Sequence, residues 1–84
     1  GCKKEKKVDN SIPIILYYND TKSTIYIEKD GKYEGLFEPT QEGYSFLGWY
    51  TAKDGGKKVS KNSLFSKIKC KKLYAKFLVL NSYI

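Results

Sequence analysis

The chain has 84 residues, a formal net charge of +7 and an aromatic content of 15%, including eight tyrosines and one tryptophan. This length accommodates one domain, and the aromatic content argues against a disordered chain. The sequence contains no histidine, which excludes catalytic arrangements built on a histidine base, and no apolar run reaches the roughly 18 residues that span a bilayer.

The charge is distributed unevenly along the chain. Residues 10–52 carry three lysines and six acids, whereas residues 53–84 carry nine lysines and one acid. Three interpretations remain open: a basic face that binds a polyanion, complementary charges that favour contacts between neighbouring modules, or a lysine-rich codon bias without a functional role.

The first residues are predicted to form a tether. Residues 1–11 are charged and lack an apolar period, which is typical of a flexible segment ahead of a domain. Cys2 follows a small residue and precedes a lysine-rich run, as does the cysteine of a bacterial lipobox that receives diacylglycerol. Cys2 is therefore either a lipidation site or an incidental cysteine, and acyl mass on Cys2 in protein taken from membranes would distinguish the two.

The first two predicted elements form a β-hairpin. Residues 12–18 are rich in β-branched and aromatic side chains, which favours a strand. Residues 19–22 have turn chemistry, and residues 23–29 alternate apolar and polar side chains as a half-exposed strand does. Either strand is expected to lie at a sheet edge that can pair with a partner.

The middle of the chain is predicted to hold the central strand. Residues 32–37 are too short and glycine-interrupted for a long helix, but they offer Tyr33, Leu36 and Phe37 to the core. Residues 42–51 read as the central strand, apolar on both faces. Alternation assigns one face to Tyr44, Phe46, Gly48 and Tyr50, and the other to Ser45, Leu47, Trp49 and Thr51.

The second half is predicted to supply a turn, a short strand, one helical turn or folded loop, and a closing strand. Residues 52–57 are predicted to form the turn and residues 58–60 the short strand. In residues 62–68 the one-turn spacing of Leu64, Phe65 and Ile68 fits either a single helical turn or a folded loop. Residues 73–80 should pair beside residues 43–51, with Leu73, Ala75, Phe77 and Val79 on one face. The domain is thus predicted to span residues 12–80, with residues 81–84 as a tail or strand extension.

Two motifs resemble a known family. Residues 38–51 read E-P-T-Q-E-G-Y-S-F-L-G-W-Y-T, and Asp54-Gly55-Gly56 and Leu73-Tyr74-Ala75-Lys76-Phe77 follow. This pattern is similar to the Listeria–Bacteroides repeat, the B-repeat of internalin B. The chain departs from the family's pattern at Phe77, where the family has tryptophan, and in the first hairpin turn, where the family has an N-G-G-type sequence.

The resemblance implies a predominantly β, α+β domain: a small β-grasp-like mixed sheet, similar to ubiquitin and SUMO, with at most one short helix or helical turn. It also implies an extracytoplasmic, non-enzymatic module of the bacterial cell surface that acts in protein interaction or adhesion, or as a spacer. We expect the motif residues to be mainly structural, with Tyr44, Phe46, Trp49 and Tyr74 supplying most of the buried area. The motif comprises Gly43, Tyr44, Phe46, Gly48, Trp49, Tyr50, Leu73, Tyr74, Ala75 and Phe77.

The alternative function is binding of a polyanion such as teichoic acid, a glycosaminoglycan or nucleic acid. Nucleic acid is disfavoured because arginine is absent. No catalytic group, cofactor or metal is expected, since Cys2 and Cys70 without histidine cannot complete a tetrahedral zinc site. Contact with a membrane is expected only through Cys2, and weak self-association only through a sheet edge. The candidate polyanion-binding residues are Lys57, Lys58, Lys67, Lys69, Lys71, Lys72 and Lys76.

Overall fold

Segments rich in β-branched and aromatic residues form the strands of the computed structural model, which describes residues 11–80. This confirms the prediction of a predominantly β domain with one short helix. Within that range the elements are β1 (Ser11–Tyr18), β2 (Thr21–Glu28), β3 (Tyr44–Tyr50), β4 (Lys58–Val59), α1 (Phe65–Ile68) and β5 (Lys72–Val79).

The strands form one mixed sheet in the order β2-β1-β5-β3-β4. β1 is antiparallel to β2 and parallel to β5, and β3 is antiparallel to both β5 and β4. The predicted pairing of the closing strand with residues 43–51 is confirmed. The position of β3 was predicted wrongly, because β5 is the central strand and β3 lies between it and the two-residue β4.

The first hairpin turn is tighter than predicted. Asn19 and Asp20 form a two-residue turn with φ angles of 48° and 62°, so β2 begins at Thr21. Two-residue hairpin turns whose residues both have positive φ match the right-handed twist of the flanking strands, and asparagine and aspartate tolerate this conformation better than other side chains.

A β-bulge in β3 breaks the predicted alternation. Phe46 pairs with Phe77 and Gly48 with Lys76, so Leu47 is an extra residue without a partner in the register. Gly48 adopts a φ of 145°, which L side chains rarely adopt. Phe46 and Trp49 therefore share one face of the sheet, with ring centroids 5.6 Å apart, and the assignment of these two residues to opposite faces was wrong.

The core lies on one side of the sheet, here called the covered face. Residues 29–43 and α1 pack on this side, where they contribute Tyr33, Leu36 and the partly buried Phe65 and Ile68. The opposite side, the open face, carries the alternate residues of the same strands, and no element of residues 11–80 packs over it. The buried core consists of Ile14, Leu16, Ile27, Tyr33, Leu36, Trp49, Val59 and Leu73.

Hydrogen bonds hold the turn-rich segment 29–43 against the covered face. The Tyr33 amide donates to the carbonyl oxygen of Ser63 at 3.1 Å. The Trp49 indole Nε1 donates to the carbonyl oxygen of Phe37 at 2.8 Å. Because buried backbone groups need partners, these bonds allow a segment without regular structure to cover the core.

Candidate functional site

A row of five side chains crosses all strands of the open face. Strand register places Lys22 opposite Tyr17, Tyr17 opposite Tyr74, Tyr74 opposite Tyr50, and Tyr50 opposite Lys58. Residues opposite one another in a sheet point to the same face. We call this set, which runs Lys22-Tyr17-Tyr74-Tyr50-Lys58 from β2 to β4, the cross-strand row.

The tyrosines of the cross-strand row are ordered by ring contacts. The rings of Tyr17 and Tyr74 stack with centroids 5.0 Å apart and planes 11° from parallel. Because this distance is close to the ~4.8 Å separation of neighbouring strands, the two rings lie side by side along the row with their faces turned to each other. The Lys76 ammonium lies 4.9 Å from the centroid of the Tyr50 ring, which is within the range of a cation–π contact.

The surroundings of the cross-strand row are basic. Lys72 and Lys76 lie two residues on either side of Tyr74 and therefore share its face. Beside this row, at the first hairpin turn, is an open hollow of about 610 Å³. Its lining combines two lysines and one acid with the stacked rings: Tyr17, Tyr18, Asn19, Asp20, Thr21, Lys22, Lys53, Tyr74 and Ala75.

The structure brings together only part of the predicted lysine set. Lys58, Lys72 and Lys76 share the open face through their strand positions. The other four lie elsewhere: Lys57 precedes β4, Lys67 belongs to α1, and Lys69 and Lys71 lie between α1 and β5. Sequence reasoning missed Lys22, Lys53 and Tyr17. Lys22 could have been found from the register of the first hairpin, because a two-residue turn at residues 19–20 places Lys22 opposite Tyr17.

The aromatic motif residues divide between the two faces. Trp49 is 3% exposed, and Phe46 packs against the core. Tyr74 was wrongly counted among the core aromatics, because it stacks on Tyr17 on the open face. Tyr44 also contributes less burial than predicted, being 39% exposed, although its ring contacts Phe77 at 6.2 Å.

The remaining motif residues have backbone or packing roles. Gly43 has a φ of 86°, as expected of a turn that needs glycine. Leu73 is fully buried, and Ala75 packs against the core. Tyr50 is half-buried on the open face, where it belongs to the cross-strand row.

The model of the Listeria-Bacteroides repeat domain matches residues 16–76, which is most of the chain. This chain belongs to the Listeria-Bacteroides repeat family. Repeats of this family occur in extracellular, cell-surface proteins and are a non-catalytic module type. The match confirms the resemblance drawn from residues 38–77, and it contains every member of the cross-strand row.

A buried tyrosine ties the turn-rich segment of this repeat to the start of β5. The fully buried Tyr33 hydroxyl donates to the carbonyl oxygen of Cys70 at 2.7 Å and accepts from its amide at 3.2 Å. Burial raises the pKa of the Tyr33 hydroxyl above its ordinary value of 10.0, although the Cys70 hydrogen bond acts in the opposite direction. The Cys70 thiol donates to the carbonyl oxygen of Lys72 at 3.0 Å. Cys2, the other cysteine of the chain, is outside the described residues.

Replacing Tyr33 by phenylalanine is expected to lower the free energy of unfolding by about 1–3 kcal/mol, because it leaves the Cys70 amide and carbonyl without their partner. The folded state holds the Tyr33 proton to higher pH than the unfolded state, so this contribution is complete below about pH 10 and is lost as the pH rises through the folded pKa. Denaturant unfolding of both proteins between pH 7 and pH 11 should show their difference narrowing above about pH 10. A constant difference would contradict the burial of this hydroxyl.

Residues 11–80 contain neither a metal-binding cluster nor a membrane-spanning helix. Residues 11–80 contain no group of three or more histidine, cysteine, aspartate or glutamate side chains placed to hold a metal ion. Across the same residues, no helix has the length and apolar character needed to cross a membrane.

Proposed function

We propose that this repeat is a non-enzymatic interaction module of a bacterial surface protein, which binds a partner protein by strand addition at β2. The observation that carries this proposal is the position of β2 at the end of the sheet order, with β1 on one side and no strand of residues 11–80 on the other. A sheet edge offers a row of backbone donors and acceptors to an incoming strand.

Of the two strands of the first hairpin, β2 lies at the edge of the sheet and β1 does not. β1 lies between β2 and β5, so its assignment as an edge strand was wrong. The Ile15 amide donates to the carbonyl oxygen of Lys71 at 2.8 Å, which shows that the backbone of Ile15 is turned toward β5. Thr24, opposite Ile15, consequently turns its own amide and carbonyl away from β1, toward the sheet edge.

The composition of β2 suits it to pairing. The strand has eight residues, and it contains no proline. Its charged residues are Lys22 near one end and Glu28 at the other, with five uncharged residues between them. Natural sheets protect their edges with central charges, proline or short strands, and β2 lacks all three devices.

The test places proline where it blocks the edge without removing a β1–β2 hydrogen bond. Thr24→Pro removes the outward amide, so binding of a partner strand, or self-association of the repeat, should be lost while the fold remains. Sedimentation over a range of protein concentrations measures self-association, and pull-down from surface extracts measures binding of a partner. Thr24→Ala, which keeps the amide, is the matched control and should behave as the parent protein does.

Two outcomes would count against the interaction role. A strict monomer that retains no specific partner would favour a spacer. A partner that binds Thr24→Pro as well as it binds the parent protein would show that β2 is not the docking edge. Attachment of the mature protein to a membrane through lipid on Cys2 remains a further prediction, outside the described residues.

A second candidate function, polyanion binding, is favoured by the arrangement of lysines on the open face. Lys58, Lys72 and Lys76 come from β4 and β5 and share this face, and Lys22 joins them from β2. Clustered cations raise the local potential and attract anionic polymers, an effect that salt weakens.

A further inference from the structure

We infer that the cross-strand row is a binding site for an acidic polysaccharide, a linear sugar polymer that carries carboxylate or sulfate groups. This inference rests on the second candidate function, polyanion binding. It specifies one class of polyanion and one set of side chains that bind it. The two lysines of the row are exposed and its three tyrosines are half-buried. The row combines hydroxyl groups with cations, the two kinds of donor that such a polymer requires.

The geometry of the row fits an extended chain that crosses the strands. Four strand spacings of ~4.8 Å separate Lys22 from Lys58, so the row is ~19 Å long. Lysines stand at both ends and tyrosines between them. A polymer along this line meets ammonium groups at both ends and phenol hydroxyls in the middle, where sugar hydroxyls are hydrogen-bond partners.

Charge around the row favours an anionic ligand. The same-face neighbours of the row along the strands are uncharged or lysine: Thr24, Ile15, Lys72, Lys76 and Gly48. Asp20 at the hairpin turn is the one acid among the residues that line the adjoining hollow, which also contains Lys22 and Lys53. The open face thus has an excess of positive charge along the whole row.

The arrangement of the tyrosine rings favours a polysaccharide over a nucleic acid as the ligand. Single-stranded nucleic acids are bound by stacking bases on free aromatic faces. Here Tyr17 and Tyr74 stack on each other at 5.0 Å, and Lys76 lies 4.9 Å from the centre of the Tyr50 ring. These contacts occupy ring faces on which a base would stack, whereas a sugar can be bound through the tyrosine hydroxyls and the lysines, so the arrangement suits sugars better than bases.

The direction of the row favours a polysaccharide over an acidic peptide as the ligand. An extended peptide must satisfy its own amides and carbonyls, and sheet edges provide the matching backbone groups. The row crosses the sheet perpendicular to the strands, where the backbone groups of β1, β5 and β3 already pair with neighbouring strands. A polysaccharide has no backbone amide ladder to satisfy, so side-chain hydroxyls and ammonium groups are sufficient.

The test is isothermal calorimetry of the full chain with a heparin octasaccharide at low and moderate salt. The parent protein should bind at low salt and lose affinity as salt rises. Lys22→Gln combined with Lys58→Gln, at the ends of the row, should weaken binding roughly tenfold. Lys61→Gln combined with Lys67→Gln removes the same charge outside the row and should change affinity less than about twofold.

A variant of the tyrosines tests the row without changing charge. Tyr17→Phe combined with Tyr74→Phe keeps the stacked rings and removes two hydroxyls, and it should weaken binding several-fold. Thermal unfolding of each variant provides the folding control. An equal loss of heparin affinity in the two double-lysine variants would show that the binding site is not the cross-strand row, although polyanion binding itself would stand. Tighter binding of a single-stranded DNA or polyglutamate of equal charge would overturn the ligand class, and absence of any binding by the parent protein would refute both.

Discussion

Replacing Trp49 by alanine is expected to lower the free energy of unfolding by about 3–5 kcal/mol, a large part of the ~5–15 kcal/mol typical of a small domain. Trp49 is 3% exposed, and its ring contacts Phe37 at 5.7 Å and Phe46 at 5.6 Å. The indole also donates to the Phe37 carbonyl at 2.8 Å, so the substitution leaves both a cavity and an unsatisfied acceptor. Denaturant unfolding followed by circular dichroism measures the loss.

Leu47→Ala is the matched control for Trp49→Ala. In a regular strand Leu47 and Trp49 would share a face, but the bulge makes Leu47 the extra residue, and its side chain is 42% exposed. We expect Leu47→Ala to cost less than about 1 kcal/mol. Comparable losses for the two variants would contradict the bulge, and a small loss for Trp49→Ala would contradict the placement of Trp49 in the core.

Replacing Leu73 by alanine is the second change with a large expected effect, about 2–5 kcal/mol. Leu73 is fully buried at the centre of the sheet, opposite the equally buried Leu16 in the parallel β1–β5 pair. The cavity would lie between two strands that are distant in sequence, so the surrounding chain has little freedom to collapse into it. Denaturant unfolding of both proteins measures the difference in stability.

Leu78→Ala is the control in the same strand, because Leu78 is 54% exposed on the open face. Its expected cost is less than about 1 kcal/mol. If Leu78→Ala proved as damaging as Leu73→Ala, the two faces of β5 would be equally buried, and the open face would be covered in solution.

The sequence predicts those parts of the fold that depend on local patterns. Alternation identifies β5 and the face of Leu73. The spacing of Leu64, Phe65 and Ile68 fits a helical turn or a folded loop, and the structure has the helical turn, at α1. The bulge at Leu47 was not predicted, because it depends on the backbone conformation of Gly48 and on pairing with β5. Period-two alternation assumes a regular strand and fails beyond such a residue.

The cross-strand row depends on information that no single segment contains. Tyr17, Tyr74 and Tyr50 come from three strands, and their alignment requires the register of two separate pairings. Alternation along β5 places Tyr74 and Leu73 on different faces of the sheet. Tyr74 was nevertheless assigned to the core, because it belongs to the aromatic motif. The lysine-rich segment of the sequence also did not predict which lysines share the open face. Lys67 and Lys69 lie away from this face, whereas Lys22, which is isolated in the sequence, is part of it.

We propose that one face of the repeat is occupied by its core and that the second, open face binds an acidic polysaccharide. Amide chemical shifts of the labelled full chain, recorded during titration with the heparin octasaccharide, show which face the ligand contacts. We predict that the largest shifts fall on Tyr17, Lys22, Tyr50, Lys58 and Tyr74 and disappear at moderate salt. Shifts confined to α1 and residues 67–71, or no shifts at low salt, would contradict the claim.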